Sequence, residues 1–401
     1  MVGYVYATIN KDTLAHICKE KGVSSEFLAS KTKLNMSRLN QWLTPTDINL
    51  PTINQAKKIA ACLHMPFAGL YMNPCDIPLK RIPNIRNMRT MSGAVSIDDS
   101  SLNIAMIDVL LERDFLLSAD DEFGITPPDF EPLIPDSDSV DEWANAIRKQ
   151  FAIDLGEQYK CSSTRQFYLY VRDKIETKGV FVHCFTDVTI DTARGFSIYN
   201  TLLPIIGIND EDRPPAKTFT IIHELVHLFK RESSLCNDMS SSASTLSEEV
   251  FCNAVAGELL VPKSALKIVL EHGHYFAPYS IDDIKRVADR FSVSREVIVR
   301  RLLELRKIDQ REYETYTDLF RREIEEGREK RKIQRENGIK SSIPPRNMSR
   351  EAFDRTSPSV SKILYQGYVN DVYSKLDIAR HLNVGQNHID KFLREVSKWN
   401  R

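Results

Sequence analysis

Lys217-Thr218-Phe219-Thr220-Ile221-Ile222-His223-Glu224-Leu225-Val226-His227-Leu228-Phe229 is the stretch on which the reading of this chain turns. Its residues are apolar enough to seat a helix in a core, yet it carries two histidines four positions apart. On a helix that spacing puts both imidazoles on one face, one turn from each other. Two neutral imidazoles so placed can hold one metal ion, and the type expected is zinc. Glu224 projects beside them, placed to take a proton from an activated water and pass it to a leaving amine. A five-residue match of this kind arises by chance in a chain of 401 residues with a probability on the order of one per cent. The context around it therefore matters.

A catalytic zinc needs a third protein ligand and leaves the fourth position open. The nearest source downstream is Ser247-Glu248-Glu249-Val250-Phe251-Cys252-Asn253. A helix over Ser247–Leu260, ending before Pro262, is expected there, with Ser247 as its cap. Glu249 is the expected ligand and Glu248 the fallback. Asn253 shares a face with Glu249, so it is expected to support the ligand or the histidine-bearing helix. His272 and His274 are placed in a loop after these helices. His183 and Cys184 are expected to pack on a strand, and Tyr275, Phe276 and Tyr279 to pack as aromatics.

Upstream, helices fit Trp143–Phe151 and Thr164–Lys178, and strands fit Val180–Phe185 and Pro204–Ile208, with Arg194–Ile198 between them. Downstream, Ile281–Ile308 reads as helix. Residues 140–308 thus form an α+β unit with a small sheet. The charged stretch Arg321–Lys340 has too few apolar positions to bury well, so an exposed helix or a flexible arm is expected, closed by Pro344-Pro345. Residues 349–401 read as a further helical module.

At the other end, residues 10–73 read as a run of short helices broken at Gly22, Lys33–Asn35, Pro45 and Pro51. Eight Lys/Arg face four Asp/Glu there, so this part is locally basic although the whole chain carries a net charge of −1. Residues 75–139 read as linker and helix: a basic, proline-punctuated stretch over Ile77–Arg86, a helix over Leu102–Leu117, and an acidic linker from Pro127 to Asp141.

Several classes are excluded. Net charge argues against a polycation, so nucleic-acid affinity would have to be local. The seven cysteines form no C-x-x-C pair and are odd in number, against a disulfide framework or a cysteine-based zinc cluster. Met1–Lys11 lacks a charged start followed by an apolar core, so no signal peptide is expected. No run of 18 apolar residues exists, so no membrane span is expected. A cytoplasmic location follows as the expectation, and oligomeric state, including a homo-oligomer, stays open.

The motifs then resemble a family. His223–His227, Glu248-Glu249, Cys252-Asn253-Ala254 and Glu258-Leu259-Leu260-Val261-Pro262 resemble, in order, the ImmA/IrrE-type metallopeptidases. Arg194-Gly195-Phe196, Pro204-Ile205-Ile206, Ser292–Val297 and Arg300-Arg301-Leu302 fit as well, so the resemblance covers residues 140–308. It implies a zincin-like domain holding zinc through His223, His227 and a glutamate, with Glu224 as catalytic base. It also implies a protein substrate, a transcriptional repressor in a bacterial stress or phage circuit.

Residues 1–74 resemble an XRE-type helix-turn-helix domain, an arrangement known in fusion with this peptidase. Met36–Trp42 would be the recognition helix, with Ser37, Arg38, Asn40 and Gln41 facing double-stranded DNA. Lys33 stands where a turn glycine is usual, and Leu43 where a glutamate often follows the tryptophan. Ile82–Arg86 looks like the linker of such fusions, and Ile378–Gly385 looks like a second turn. The resulting expectation is a regulatory zinc endopeptidase with a DNA-binding head. The alternative is a helix-turn-helix transcription regulator, or antitoxin-like factor, whose metallopeptidase domain serves as sensor or partner platform.

Overall fold

The computed structural model describes residues 5–77, 97–124, 126–236, 243–336 and 347–399. The Ile82–Arg86 stretch and Pro344-Pro345 lie outside them. Four helices come first: α1 (Lys11–Glu20), α2 (Ser25–Thr32), α3 (Met36–Leu43) and α4 (Ile53–Cys62). Each starts on a side-chain cap: Asn10, Ser24, Asn35 and Thr52 accept from backbone N–H groups one turn in. Lys33, between α2 and α3, takes the left-handed conformation (φ 57°) that a turn glycine would adopt. Leu14, Phe27, Leu28, Leu39, Trp42 and Ile59 fill the core of this bundle.

That core is completed by the next helix, α5 (Ile97–Phe123), which is longer than the periodicity of Leu102–Leu117 indicated. Ile104 and Ile107 of α5 enter the N-terminal core, while Leu102, Ala105, Met106 and Val109 enter the main one. A helix apolar on two faces buries both, which is why a single amphipathic stripe underestimates it. Polar contacts pin the junction: Ser24 N–H donates to Ser100 Oγ (2.9 Å) and Asn103 Nδ2 to the Gly22 carbonyl (2.9 Å).

Beyond it lie α6 (Val140–Phe151), α7 (Leu155–Lys160) and α8 (Thr164–Glu176). The strands β1 (Phe181–Phe185), β2 (Gly195–Ile198) and β3 (Ile205–Asn209) follow, then α9 (Pro214–Phe229), β4 (Ser234–Cys236) and α10 (Ala243–Leu260). The sheet order is β1-β3-β2-β4, with β1 parallel to β3 and the other pairs antiparallel. The first three strands are buried along their whole length apart from half-buried His183, because α9 covers one face and α5 and α8 lie against β1. The stretch around Phe130 is not a free tether: Phe130 is buried against Phe229 (ring centroids 6.0 Å). Gly179, at φ 83°, lets the Pro128 carbonyl come where a Cβ would sit.

α10 ends on three carbonyls that no helical N–H can reach. Side chains satisfy them: Arg148 donates to Leu259 O, Gln158 Nε2 to Leu260 O (2.9 Å), and Arg301 Nε to Val261 O (3.0 Å). Arg301, fully buried, also pairs with Glu258 and Glu304. It belongs to α13 (Arg295–Glu304), which with α11 (Lys263–His272) and α12 (Ile281–Phe291) closes this side of the molecule. Part of the charged stretch continues α14 (Gln310–Glu336), whose described residues beyond Phe320 are mostly exposed.

The last helices, α15 (Met348–Arg355), α16 (Pro358–Val369), α17 (Lys375–His381) and α18 (Ile389–Trp399), pack into the main core. Buried Glu176 accepts from Ser357 Oγ and from Ser359 N–H and Oγ (2.7–2.9 Å), so α8 caps the start of α16. No helix of the described residues is long and apolar enough to cross a membrane.

Candidate metal centre

α9 begins at Pro214-Pro215, whose missing N–H groups cost nothing at a helix start. From Lys217 onward nearly every residue is buried, so the helix runs through the interior and carries its polar groups with it. Buried polar groups need partners, and His223, Glu224 and His227 find them in different directions.

The two imidazoles point the same way: His223 Nε2 and His227 Nε2 lie 3.3 Å apart. Glu249, on α10, brings its carboxylate to both, with Oε2 3.1 Å from His223 Nε2 and Oε1 3.4 Å from His227 Nε2. These three residues can hold a metal ion. Glu248 turns elsewhere and pairs with Lys230 Nζ (3.0 Å). α10 starts at Ala243, so Ser247 lies inside the helix and is not its cap. Serine is compatible with both places, and spacing alone could not separate them.

Outer partners fix the rings. Asn253 Oδ1 lies 3.0 Å from His223 Nδ1, so an N–H on Nδ1 donates to the amide and leaves the Nε2 lone pair facing Glu249. Cys252 Sγ (3.9 Å) and Glu232 Oε2 (4.0 Å) lie on the Nδ1 side of His227. Burial disfavours a charge on His227, but Cys252, Glu232 and Glu249 outweigh it and the balance is upward. Burial likewise opposes ionisation of Glu249, and the two histidines hold its carboxyl well below the usual carboxylate range. A cluster with this field asks for a cation.

Glu224 faces the sheet. Its Oε2 accepts from Ser234 Oγ, while Oε1 is buried with no hydrogen-bond partner among the described residues. Gly195 of β2 lets α9 lie this close to the sheet: a Cβ there would fall 2.4 Å from Thr220 Cγ2, with Glu224 Cγ at 3.6 Å. Ser197 and Ser234 were not singled out in the sequence. The available signal was a serine inside an otherwise apolar strand, Gly195-Phe196-Ser197-Ile198.

A cavity of about 750 Å³ opens from His223 and Glu249 and runs along Phe219, Val250, Val297 and Arg300. Glu249 retains 32% side-chain exposure, so the cluster is reached from this side. His272 ends α11 and His274 follows it; both are exposed and neither belongs to the cluster. Phe276 is 67% exposed and does not pack, whereas Tyr279 is buried. The DNA-facing candidates lie apart, on α3: Ser37, Arg38 and Asn40 are exposed and Gln41 is half-buried.

One comparison bears on the class. Residues 176–303 match the family model for the IrrE N-terminal-like domain, Peptidase_M78. The match supports the ImmA/IrrE family and a metallopeptidase. It spans β1 to α13, and so contains His223, Glu224, His227, Glu249 and Asn253. No curated protein matches the chain.

Proposed function

We propose that this chain is a zinc endopeptidase that cleaves a repressor-type regulator protein. We take residues 140–308 as its catalytic unit and residues 1–74 as a DNA-binding head. The observation that carries the reading is the convergence of His223, His227 and Glu249 beside buried Glu224. Ligand atoms of a tetrahedral zinc site lie about 3.3 Å apart; His223 Nε2 lies 3.3 Å from His227 Nε2 and 3.1 Å from Glu249 Oε2, which supports the reading.

When bound, zinc supplies Lewis acidity toward a water and the scissile carbonyl. Glu224 takes the proton of the attacking water and returns it to the amine nitrogen as the C–N bond breaks. Asn253 holds His223 in the tautomer that ligates. Asn253→Ala is expected to lower zinc affinity roughly 10- to 100-fold, read by competition with a chromogenic chelator. An unchanged affinity would remove Asn253 from the site.

The reading is tested by metal content and cleavage. Gently purified protein should carry one zinc per chain and cut a purified repressor-type substrate at a defined bond. Protein that binds no zinc, or that is zinc-loaded and leaves every such substrate intact, refutes it.

The exposed side chains of α3, on a helix capped by Asn35, favour a second role, operator binding. Arg38→Ala with Gln41→Ala should weaken a sequence-specific gel shift roughly 10-fold or more, with zinc content unchanged. A wild-type chain with no sequence preference at low salt would rule that role out.

A further inference from the structure

The sheet contributes more than a floor under α9. Ser197 and Ser234 are directly opposed across the β2–β4 ladder, and both are buried. Residues 195 and 197 share one face of β2, the face that Gly195 shows to lie under Glu224. Ser234 Oγ donates to Glu224 Oε2. Ser234 N–H donates to Ser197 Oγ (3.2 Å), and the two hydroxyl oxygens are 2.7 Å apart.

The direction of this chain is determined. A carboxylate oxygen only accepts, so the single hydroxyl proton of Ser234 goes to Glu224. The 2.7 Å contact can then be made only by the Ser197 proton donating to Ser234 Oγ. Ser197 Oγ in turn accepts from the Ser234 N–H. Every hydroxyl proton is committed, and the chain terminates on one oxygen of Glu224. The other oxygen, Oε1, has no donor among the described residues.

We propose that Ser234, oriented by Ser197, is the positioning residue of Glu224: it fixes Oε2 and leaves Oε1 as the proton-accepting atom. This rests on the reading of Glu224 as general base. It adds the device that selects which oxygen works and holds the carboxylate in one rotamer. Edge strand β4 thereby becomes part of the proton-transfer machinery through Glu224, without touching substrate.

Two readouts test it. In metal-free protein, a melting-temperature cycle compares Ser234→Ala in the Glu224 parent and in the Glu224→Gln parent. A hydrogen bond to a carboxylate is roughly twice as strong as one to a neutral amide. The loss should therefore be about twice as large in the Glu224 parent, and equal losses overturn the proposal. In zinc-loaded protein, Ser234→Ala should lower kcat roughly 10- to 100-fold with KM and zinc stoichiometry unchanged. Ser234→Thr should recover most of it. Ser197→Ala should give a smaller loss of the same sign, and serves where Ser234→Ala fails to fold. Active wild-type enzyme with a fully active Ser234→Ala variant overturns this role alone. A zinc-loaded wild type that cleaves nothing overturns the peptidase reading, and with it the role.

Discussion

Glu224→Gln is expected to keep one zinc per chain while slowing cleavage by about 100- to 10,000-fold, the range a positioned general base contributes. The substitution is nearly isosteric, and the amide oxygen can still accept from Ser234. The amide nitrogen then occupies the place of Oε1 and cannot take a proton. Zinc by elemental analysis and initial rates by gel densitometry check both halves. Loss of zinc would mean that Glu224 ligates or braces the metal. An active, zinc-loaded variant would mean that another group accepts the proton, and Glu232, near His227, would be the next to change.

The clustering of His223, Glu224 and His227 was legible because the three sit within about one helical turn, where spacing alone dictates geometry. The same holds for the four short helices at the N-terminal end, whose caps are local. What was not legible depends on contacts between distant segments. Ser197 and Ser234 come from strands 37 residues apart, and only the register of β2 and β4 opposes them. The length of α5 follows from its burial in two cores at once, which no single apolar stripe encodes. The sequence motif Glu258–Pro262 likewise gains its meaning from Arg301, 43 residues away from Glu258, which ties α13 to the end of α10. Phe276 was misjudged for a simpler reason. Hydrophobicity says what a side chain would gain by burial, not whether a surface exists to bury it.

The choice between Glu248 and Glu249 shows how the fold finishes what spacing begins. Neighbours on a helix point about 100° apart, so only one can face α9's imidazoles. Glu249 does, and Glu248 is engaged by Lys230. Glu249→Gln is therefore expected to weaken zinc binding by more than the roughly 10- to 100-fold that an outer partner such as Asn253 is worth, because it removes a charged ligand from the metal itself. Cleavage should fall in step. Glu248→Gln should leave zinc affinity within a few-fold of wild type, since its half-buried pair with Lys230 points away from the histidines. Chelator competition on the two variants decides it. Equal losses would place both carboxylates on the metal, and a loss confined to Glu248→Gln would require α10 to turn by one residue when zinc binds.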